Sequence, residues 1–243
     1  MRLLDLFCGA GGAAKGYAEA GFKVHGIDIK PQPRYQGNSF QCEDAISWLR
    51  GAVKRHESFL PARIFPVIHA SPPCQDHSVS KNIHGTPHGT GWMLAETVRL
   101  LDRLARQHPG LVWVVENVEG ARREMSQLST KYGFMITLCG TEFGLRVDQA
   151  NGIRSELRRH RLFLSNMPLW GAGGCQHSPN VITVCGHGNG GSKAQRSYKG
   201  FAADARTAMG IDWMRRGELA QAIPPAYTRF IGEQIREWRQ RDV

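Results

Sequence analysis

The sequence has no apolar run near the roughly 20 residues that a membrane-spanning helix needs. It also has no internal repeat, low-complexity tract or long linker, so we expect its 243 residues to form one main domain. Six cysteines are present and could suggest disulfides. However, a predicted strand begins at residue 3, and we see no charged leader, apolar segment and cleavage site that would mark the chain for secretion. We therefore expect a cytoplasmic protein whose cysteines are free thiols or metal ligands.

Acidic residues are fewer than basic ones, and the imbalance is uneven. The chain has 31 Lys and Arg against 21 Asp and Glu, a net charge of +10. Residues 146–243 hold fifteen basic and eight acidic side chains, and so seven of those ten charges. A basic half favours a polyanionic partner such as nucleic acid, although solvated lysines and arginines give the same composition.

The stretch Ala-Ser-Pro-Pro-Cys-Gln at residues 70–75 is central to the chain. It follows an apolar run at 67–70 that predicts a buried strand, and Pro72 then begins a stiff, extended exit. Cys74 is thereby placed at a strand's carboxyl end, the edge where ligands and catalytic groups collect in an open α/β sheet. A lone cysteine is more often a small buried hydrophobic residue, but the other motifs favour a nucleophile here.

A nucleoside site is indicated near the N-terminus. A strand at 3–7 leads through the glycine turn at 8–12 into a predicted helix at 13–20. The second predicted strand, 24–29, contains Asp28, which lies 21 residues after Phe7 and could accept hydrogen bonds from ribose hydroxyls. Glycines let the backbone approach a ligand closely, although such turns also occur only to pack a helix on a strand.

Two further regions have open interpretations. Asp44 precedes a predicted helix at 45–55, where it either caps the helix or also contacts the base of a bound adenosine. Residues 76–92 lack a hydrophobic period and predict a mobile loop. The histidines in this loop, His77, His84 and His88, are irregularly spaced and are interpreted as polar loop residues rather than metal ligands.

Two polar motifs follow later strands. The predicted strand 111–115 ends at Glu116, and parallel neighbours would bring this carboxyl and Cys74 to one edge, facing one substrate. The alternative is that Glu116 is a solvated turn residue, as a glutamate that follows a strand can be. The basic run at 158–161, Arg-Arg-His-Arg, is either a solvated surface run or a cluster that binds anions and base edges through forked arginine donors.

Glycine, serine and asparagine dominate residues 166–205, which we predict as a small second domain. Within it a Cys-x-His pair occurs twice, at Cys175, His177, Cys185 and His187. Four such groups could bind zinc, but the spacing is not a common zinc pattern, so we favour plain loop residues. After residue 225, apolar side chains fall on one face of a helix that should pack back on the first domain.

In this order, four motifs resemble those of the DNA cytosine-C5 methyltransferases: Asp-Leu-Phe-Cys-Gly-Ala-Gly-Gly at 5–12, Pro-Pro-Cys-Gln at 72–75, Glu-Asn-Val at 116–118 and Arg-His-Arg at 159–161. The resemblance spans the chain except for about 166–205. It implies an α/β, Rossmann-like class I methyltransferase fold with a mostly parallel seven-stranded sheet. The implied divisions are a catalytic domain at 1–165, a short target-recognition segment at 166–205 and a returning segment at 206–243.

The resemblance also implies the roles of particular residues. S-adenosylmethionine would be the methyl donor, held by Phe7, Gly9, Gly11, Asp28, Ile29, Asp44 and Pro72. Cys74 would add to C6 of a cytosine flipped out of double-stranded DNA, while Glu116, with a pKa raised by burial, would protonate N3. Arg161 would contact the base, Arg159 would support Arg161, and Asn117 would order the loop of the acid. We expect a monomer of bacterial or phage type that acts on the nucleoid, as in restriction-modification.

Three departures from the family pattern suggest alternatives. Leu157 stands where the family usually has glutamine, which could remove a polar contact near DNA. Ala220 and Gln221 replace a usual Gly-Asn pair, which suggests a reshaped donor pocket for a modified donor such as carboxy-S-adenosylmethionine. The short recognition segment implies either a short site or a partner subunit.

Two other functions were weighed against DNA methylation. An RNA methyltransferase would share the catalytic parts, but the Cys-Phe-Thr signature of the transfer-RNA branch is absent from this sequence. A non-catalytic DNA-binding or regulatory subunit would normally have lost Cys74 or Glu116, and both are present.

Overall fold

The computed structural model describes residues 1–54, 64–73, 89–184, 196–198 and 201–241. Cys74, the residues of the predicted loop up to 88, Cys185 and His187 lie outside these ranges. Within them, no helix is long and apolar enough to cross a membrane.

The strands, in chain order, are β1 (Arg2–Leu6), β2 (Lys23–Asp28), β3 (Ser39–Cys42), β4 (Val67–Ala70), β5 (Val112–Val118), β6 (Phe134–Leu138), β7 (Arg146–Asp148), β8 (Arg154–Glu156), β9 (Arg161–Ser165), β10 (Asn180–Ile182) and β11 (Arg196–Tyr198). Seven of them form the main sheet in the order β3-β2-β1-β4-β5-β9-β6. Only β9 runs antiparallel to its neighbours there, so the predicted mostly parallel seven-stranded sheet is confirmed.

The helices are α1 (Gly12–Glu19), α2 (Ala45–Lys54), α3 (Trp92–Gln107), α4 (Arg122–Tyr132), α5 (Ala202–Met209), α6 (Arg216–Gln221) and α7 (Pro225–Arg241), with 3-10 turns at Glu119–Ala121 and Gly140–Phe143. Successive side chains of β1 point to opposite faces of the sheet, and the core is therefore divided into two parts. Leu4 and Leu6 pack with α2 and α3 on one face, and Leu3 packs with α1 and α7 on the other. Each such buried side chain contributes about 1.5–3 kcal/mol to folding.

The C-terminal helix α7 packs on α1, as the apolar spacing of its side chains predicts. The two helices approach closely because Gly16 has no side chain: a Cβ there would lie 2.0 Å from the carbonyl oxygen of Pro225. The hydroxyl of Thr228 donates to the carbonyl of Ala13 at 2.9 Å. This contact fixes the start of α7 beside the glycine turn that precedes α1.

A second sheet of four strands has the order β11-β10-β8-β7. Its strands β7 and β8 precede residue 165, whereas β10 and β11 lie in the predicted segment 166–205. The sequence did not indicate these strands because each has three residues, too few to show an alternating pattern. The helices α5 and α6 pack beside this sheet in an apolar cluster with Val147 and Leu157.

Candidate active site

The carboxyl ends of three neighbouring strands meet at one edge of the main sheet. The register aligns Leu6 of β1 with Ala70 of β4, and Ala70 with Val115 of β5. The glycine turn, the Ser71-Pro72-Pro73 exit and Glu116 therefore lie side by side. This is the edge at which open α/β sheets bind ligands.

The glycine turn has a left-handed backbone at Phe7, Gly9 and Gly11, with φ values of 57°, 49° and 83°. A Cβ on Gly11 would lie 2.6 Å from the backbone nitrogen of Gln36, so a side chain is excluded there. A Cβ on Gly9 would meet no atom within 4 Å. The turn therefore leaves open space against the backbone of Gly9, which a ligand can approach closely.

Asp28 ends β2 beside this turn. Its carboxylate accepts hydrogen bonds from the backbone N–H of Gly9 at 2.9 Å and of Lys30 at 3.0 Å. Asp28 thus orders the glycine turn, a contact that sequence reasoning did not identify. The side chain of Ile29 is 65% exposed next to it and offers an apolar surface at the same edge.

Asp44 follows β3 and caps α2. Its Oδ1 accepts a hydrogen bond from the backbone N–H of Ser47 at 2.7 Å. The capping interpretation of Asp44 is therefore confirmed, and its carboxylate remains at the edge where β3 ends. A contact with adenine stays a prediction.

Glu116 lies inside β5 rather than after it, because β5 continues to pair with β9 as far as Val118 and Arg161. The carboxyl is buried, at 6% exposure, and Arg161 Nε lies 2.9 Å from its Oε1. Arg161 also donates from Nη1 to the carbonyl of His160 at 2.9 Å. The two side chains form a buried acid–guanidinium pair at the sheet edge.

The pKa of Glu116 is raised above its ordinary value. Burial is the largest cause, because a desolvated carboxylate is disfavoured, and the guanidinium groups of Arg161 and Arg159 oppose it without reversing it. Glu116 therefore keeps a proton to higher pH than an exposed glutamate does. A raised pKa is what the resemblance to the methyltransferase family predicts for Glu116 as the proton donor.

A buried chain of hydrogen bonds continues inward from Glu116. The Ser71 hydroxyl bonds to Glu116, and its Oγ lies 2.9 Å from His69 Nε2. Nδ1 of His69 is 3.1 Å from the hydroxyl oxygen of Tyr17. Burial lowers the pKa of His69 to about 3, so this imidazole is neutral. Sequence reasoning missed the chain, although a histidine in an otherwise apolar strand was a signal for it.

Asn117 connects β5 to the proline exit. Its Nδ2 donates to the carbonyl of Pro72 at 3.2 Å, and its Oδ1 accepts from the N–H of Val118 at 2.9 Å. Pro72 is buried, and Cys74 is the second residue after it. The segment that leads to Cys74 is therefore held against the strand that carries Glu116.

Arg159 is buried and donates to backbone carbonyls of two distant segments. Its guanidinium donates to the carbonyls of Val184, Ala220 and Ala222, at 3.1, 2.7 and 3.0 Å. These contacts make it a positioning residue between the second sheet and the loop before α7. Its own carbonyl accepts a hydrogen bond from the hydroxyl of Tyr227 at 2.6 Å.

The two sequence departures have structural counterparts. Leu157 is 1% exposed and packs in the apolar cluster beside the second sheet, so it fills a core position. Ala220 and Gln221 end helix α6, and the loop that follows lies against the glycine turn: a Cβ on Gly12 would be 2.5 Å from the carbonyl oxygen of Ile223. Trp213 Nε1 donates to the carbonyl of Ala10 at 2.8 Å and holds the turn from the same side.

Cys175 and His177 lie together with Cys139 and His160. The sequence suggested Cys185 and His187 as their companions, and those two residues are outside the described ranges. Sequence reasoning missed Cys139 and His160 because they are distant in the chain and no spacing rule connects them.

The residues at the glycine turn fit S-adenosylmethionine. The open space against Gly9 admits a ligand at the backbone, Asp28 is fixed beside it, and Ile29 offers an exposed apolar side chain. Phe7 begins the turn and is half-buried. A ligand with a ribose and a flat base suits this combination of groups.

Comparisons with known proteins agree with this geometry. The family model described as C-5 cytosine-specific DNA methylase matches residues 1–163. A protein of Methanocaldococcus jannaschii that is named as a type II methyltransferase, M.MJ0563P, is 23% identical over 180 residues, which cover 70% of this chain and 56% of that protein. The chain thus spans little more than half the length of this relative.

Among solved structures, the Dnmt2 methyltransferase of S. pombe is similar over 98% of this chain and 99% of that one, with a TM-score of 0.61 and 14% identity. This likeness shows the fold alone. The family match covers most of the chain and includes all four motifs of the site. The chain belongs to the C-5 cytosine-specific DNA methylase family, whose methyl donor is S-adenosylmethionine.

Proposed function

We propose that this protein transfers a methyl group to C5 of a cytosine in double-stranded DNA, through a covalent bond between Cys74 and C6. The observation that carries the proposal is the buried pair of Glu116 and Arg161. Glu116 lies on β5, and Asn117 of the same strand bonds to Pro72 in the segment that leads into Cys74. A proton-bearing carboxyl close to a strand-end thiol suits nucleophilic addition to a pyrimidine ring.

The reaction needs the thiol because C5 of cytosine is a weak nucleophile. The thiolate of Cys74 forms a bond to C6, and the displaced ring electrons reach N3, where the proton of Glu116 is taken up. C5 then has enamine character. Without a proton donor at N3, the addition would leave negative charge on the ring in a cleft of low polarity.

S-adenosylmethionine, held at the glycine turn beside Asp28, would supply an electrophilic methyl group to C5 and would leave as S-adenosylhomocysteine. A base then removes the C5 proton, the bond between Cys74 and C6 breaks, and the thiolate is regenerated. Glu116 recovers a proton from N3 in the same stage.

Arg161 acts on Glu116 and on the substrate. Its Nε lies 2.9 Å from Oε1 of Glu116, and together with the Ser71 hydroxyl it fixes the orientation of this carboxyl. Its guanidinium has further N–H donors in a fixed plane, and these suit the exocyclic oxygen of a cytosine. Because these atoms cannot be reached in a stacked duplex, the cytosine has to be flipped into the cleft.

The second sheet and the segment 166–205 are the proposed DNA-recognition part. The basic excess of residues 146–243 supports a polyanionic partner. On the second sheet itself Arg146 of β7 is exposed, whereas Arg154 of β8 is paired with Asp148 at 3.0 Å. Because the segment is short, the protein either reads a short site or uses a partner subunit.

Trapping with 5-fluorocytosine tests the proposal, because fluorine at C5 prevents the final elimination and leaves the enzyme bound to DNA. The full chain is incubated with S-adenosylmethionine and a duplex library that carries 5-fluorocytosine. We expect a covalent complex with the parent protein and with Cys42→Ser, which removes an exposed thiol but keeps a donor to the Ile29 carbonyl, and none with Cys74→Ser.

Further assays distinguish this proposal from a modified donor, an RNA substrate and a non-catalytic subunit. Base-resolved sequencing of an unmodified library should show 5-methylcytosine at one short site, and mass spectrometry of the DNA should show no carboxymethyl adduct with either donor. Trapping on RNA but not on DNA would replace the proposed substrate. Absence of trapping on every nucleic acid, from a folded protein that binds DNA, would favour a non-catalytic subunit.

A further inference from the structure

Four side chains that bind soft metal ions converge outside the proposed active site. Sγ of Cys139, Sγ of Cys175 and one ring nitrogen each of His160 and His177 all lie within 4.8 Å of one another. They come from three separate stretches of chain: the end of β6, the start of β9 and the loop between β9 and β10. Closeness in the sequence therefore does not explain why these four side chains lie together.

The distances suit a tetrahedral zinc centre. Cys139 Sγ lies 3.4 Å from His177 Nε2, and Cys175 Sγ lies 3.4 Å from His160 Nε2. With zinc bonds of about 2.3 Å to sulfur and about 2.0–2.1 Å to nitrogen, the sulfur–nitrogen edge of a tetrahedron is about 3.5 Å. The imidazole planes are inclined at 76° with centroids 5.1 Å apart, so both rings can point at one centre.

We propose that Cys139, His160, Cys175 and His177 bind one structural zinc ion. Two thiolates and two neutral imidazoles complete a tetrahedral set, which leaves no open position for a substrate, so the ion is structural. The two thiolates also cancel the charge of the ion. The zinc centre would then have no net charge at the edge of the second sheet.

The surroundings of the cluster already order its ligands. The Glu142 carboxylate accepts hydrogen bonds from the N–H of Cys139 at 2.6 Å and of Gly174, next to Cys175, at 3.1 Å. The Thr141 hydroxyl donates to Cys139 Sγ at 3.4 Å. Outer contacts of this kind orient the ligands of metal sites and stabilise thiolate sulfur.

One contact predicts how metal binding proceeds. Arg158 Nε donates to His177 Nδ1 at 3.0 Å. Because guanidinium can only donate, Nδ1 is unprotonated and the ring proton lies on Nε2, the atom that faces Cys139. Zinc ligation through Nε2 therefore requires the exposed Arg158 side chain to leave and the proton to move. Arg158 should weaken zinc binding in the native protein.

The ion would link the recognition part to the catalytic sheet. His160 stands between Arg159, which bonds to Val184 and the loop before α7, and Arg161, which holds Glu116. Zinc would tie this position to Cys175 and His177 in the loop before β10. The order of the proposed recognition segment would then depend on the metal.

Metal analysis of the full-length protein tests the site without DNA or methyl donor, so the outcome is independent of the proposed activity. We expect about one zinc per chain after reconstitution, and cobalt(II) substitution should give the visible bands of a tetrahedral sulfur-ligated ion. Cys175→Ser should weaken zinc binding by more than about 100-fold. Cys175 is exposed, so this variant should still fold, as circular dichroism would verify.

Matched variants decide the ligand set. Cys42→Ser and Cys185→Ser should bind zinc as the parent does, and Arg158→Met should bind it several-fold more tightly, with Arg154→Met unchanged. Loss of zinc in Cys185→Ser, or no gain in Arg158→Met, would overturn the assignment. A fully reduced, folded chain that takes up neither zinc nor cobalt would overturn the site itself.

Discussion

Replacing Glu116 by glutamine tests the proposed acid most directly. Glutamine has nearly the same shape, and its carbonyl oxygen can still accept the hydrogen bond of 2.9 Å from Arg161 Nε. It has no proton that it can transfer to N3. The substitution therefore separates the chemical role of the carboxyl from its packing.

The expected loss follows from the role of a general acid. Such a group contributes about 10²- to 10⁴-fold to a rate, which corresponds to about 2.7–5.4 kcal/mol in the activation barrier. The effect on folding should be smaller, about 1–2 kcal/mol, because the hydrogen bond to Arg161 persists and only its charge assistance is lost. Glu116→Ala, which leaves the buried guanidinium without this partner, should cost about 3–5 kcal/mol.

The pH dependence provides a second, independent measurement. Because burial raises the pKa of Glu116, its proton is present at low pH and is lost as the pH rises through that raised value. The methylation rate of the parent protein should therefore fall on the alkaline side, at higher pH than an exposed glutamate would allow. The glutamine variant has no such transition at this position, so its residual rate should lack that alkaline limb.

Single-turnover tritium release from DNA labelled at C5 of cytosine measures the rate, and chemical denaturation measures the stability. Cofactor binding by calorimetry serves as a control for the pocket and should change little. A glutamine variant that retains more than half of the parent rate, or that keeps the same alkaline limb, would refute the role of Glu116.

Three further predictions follow from the contacts of the site. Gly12→Ala should lower the free energy of unfolding by about 1–3 kcal/mol in denaturant titrations, because its Cβ would meet a carbonyl at 2.5 Å, whereas Gly217→Ala, with open space, should be neutral or stabilising. Asp28→Ala should weaken S-adenosylmethionine binding about 10- to 100-fold by calorimetry, since two backbone hydrogen bonds that order the turn are lost, and unchanged affinity would contradict this role. Arg159→Met should cost about 3 kcal/mol and speed hydrogen exchange next to its three carbonyl partners, with slower or equal exchange as the contrary result.

Local sequence patterns were sufficient to predict the main sheet and the position of the site. Strands β1, β4 and β5 are buried on both faces of the sheet, so each reads as a short continuous apolar run in the sequence. The glycine turn and the paired prolines come after β1 and β4, and Glu116 lies near the end of β5. Parallel topology alone then brings them to one edge.

Other features depended on contacts between distant residues. The position of Glu116 inside β5 depends on the partner strand β9, and the burial that raises its pKa depends on distant segments that keep water from the carboxyl. The grouping of Cys139 with His177 joins residues that are 38 positions apart, and no short spacing pattern records it. The three carbonyls held by Arg159 belong to segments up to 63 positions away.

The sequence by itself was therefore enough to predict the family, the parallel sheet and a set of candidate reactive side chains, because each is indicated by short continuous motifs. The tertiary structure alone decided which polar groups are buried and which side chains meet, because burial and convergence depend on how distant segments pack. The raised pKa of Glu116 and the Cys139–His160–Cys175–His177 cluster are both of this second kind.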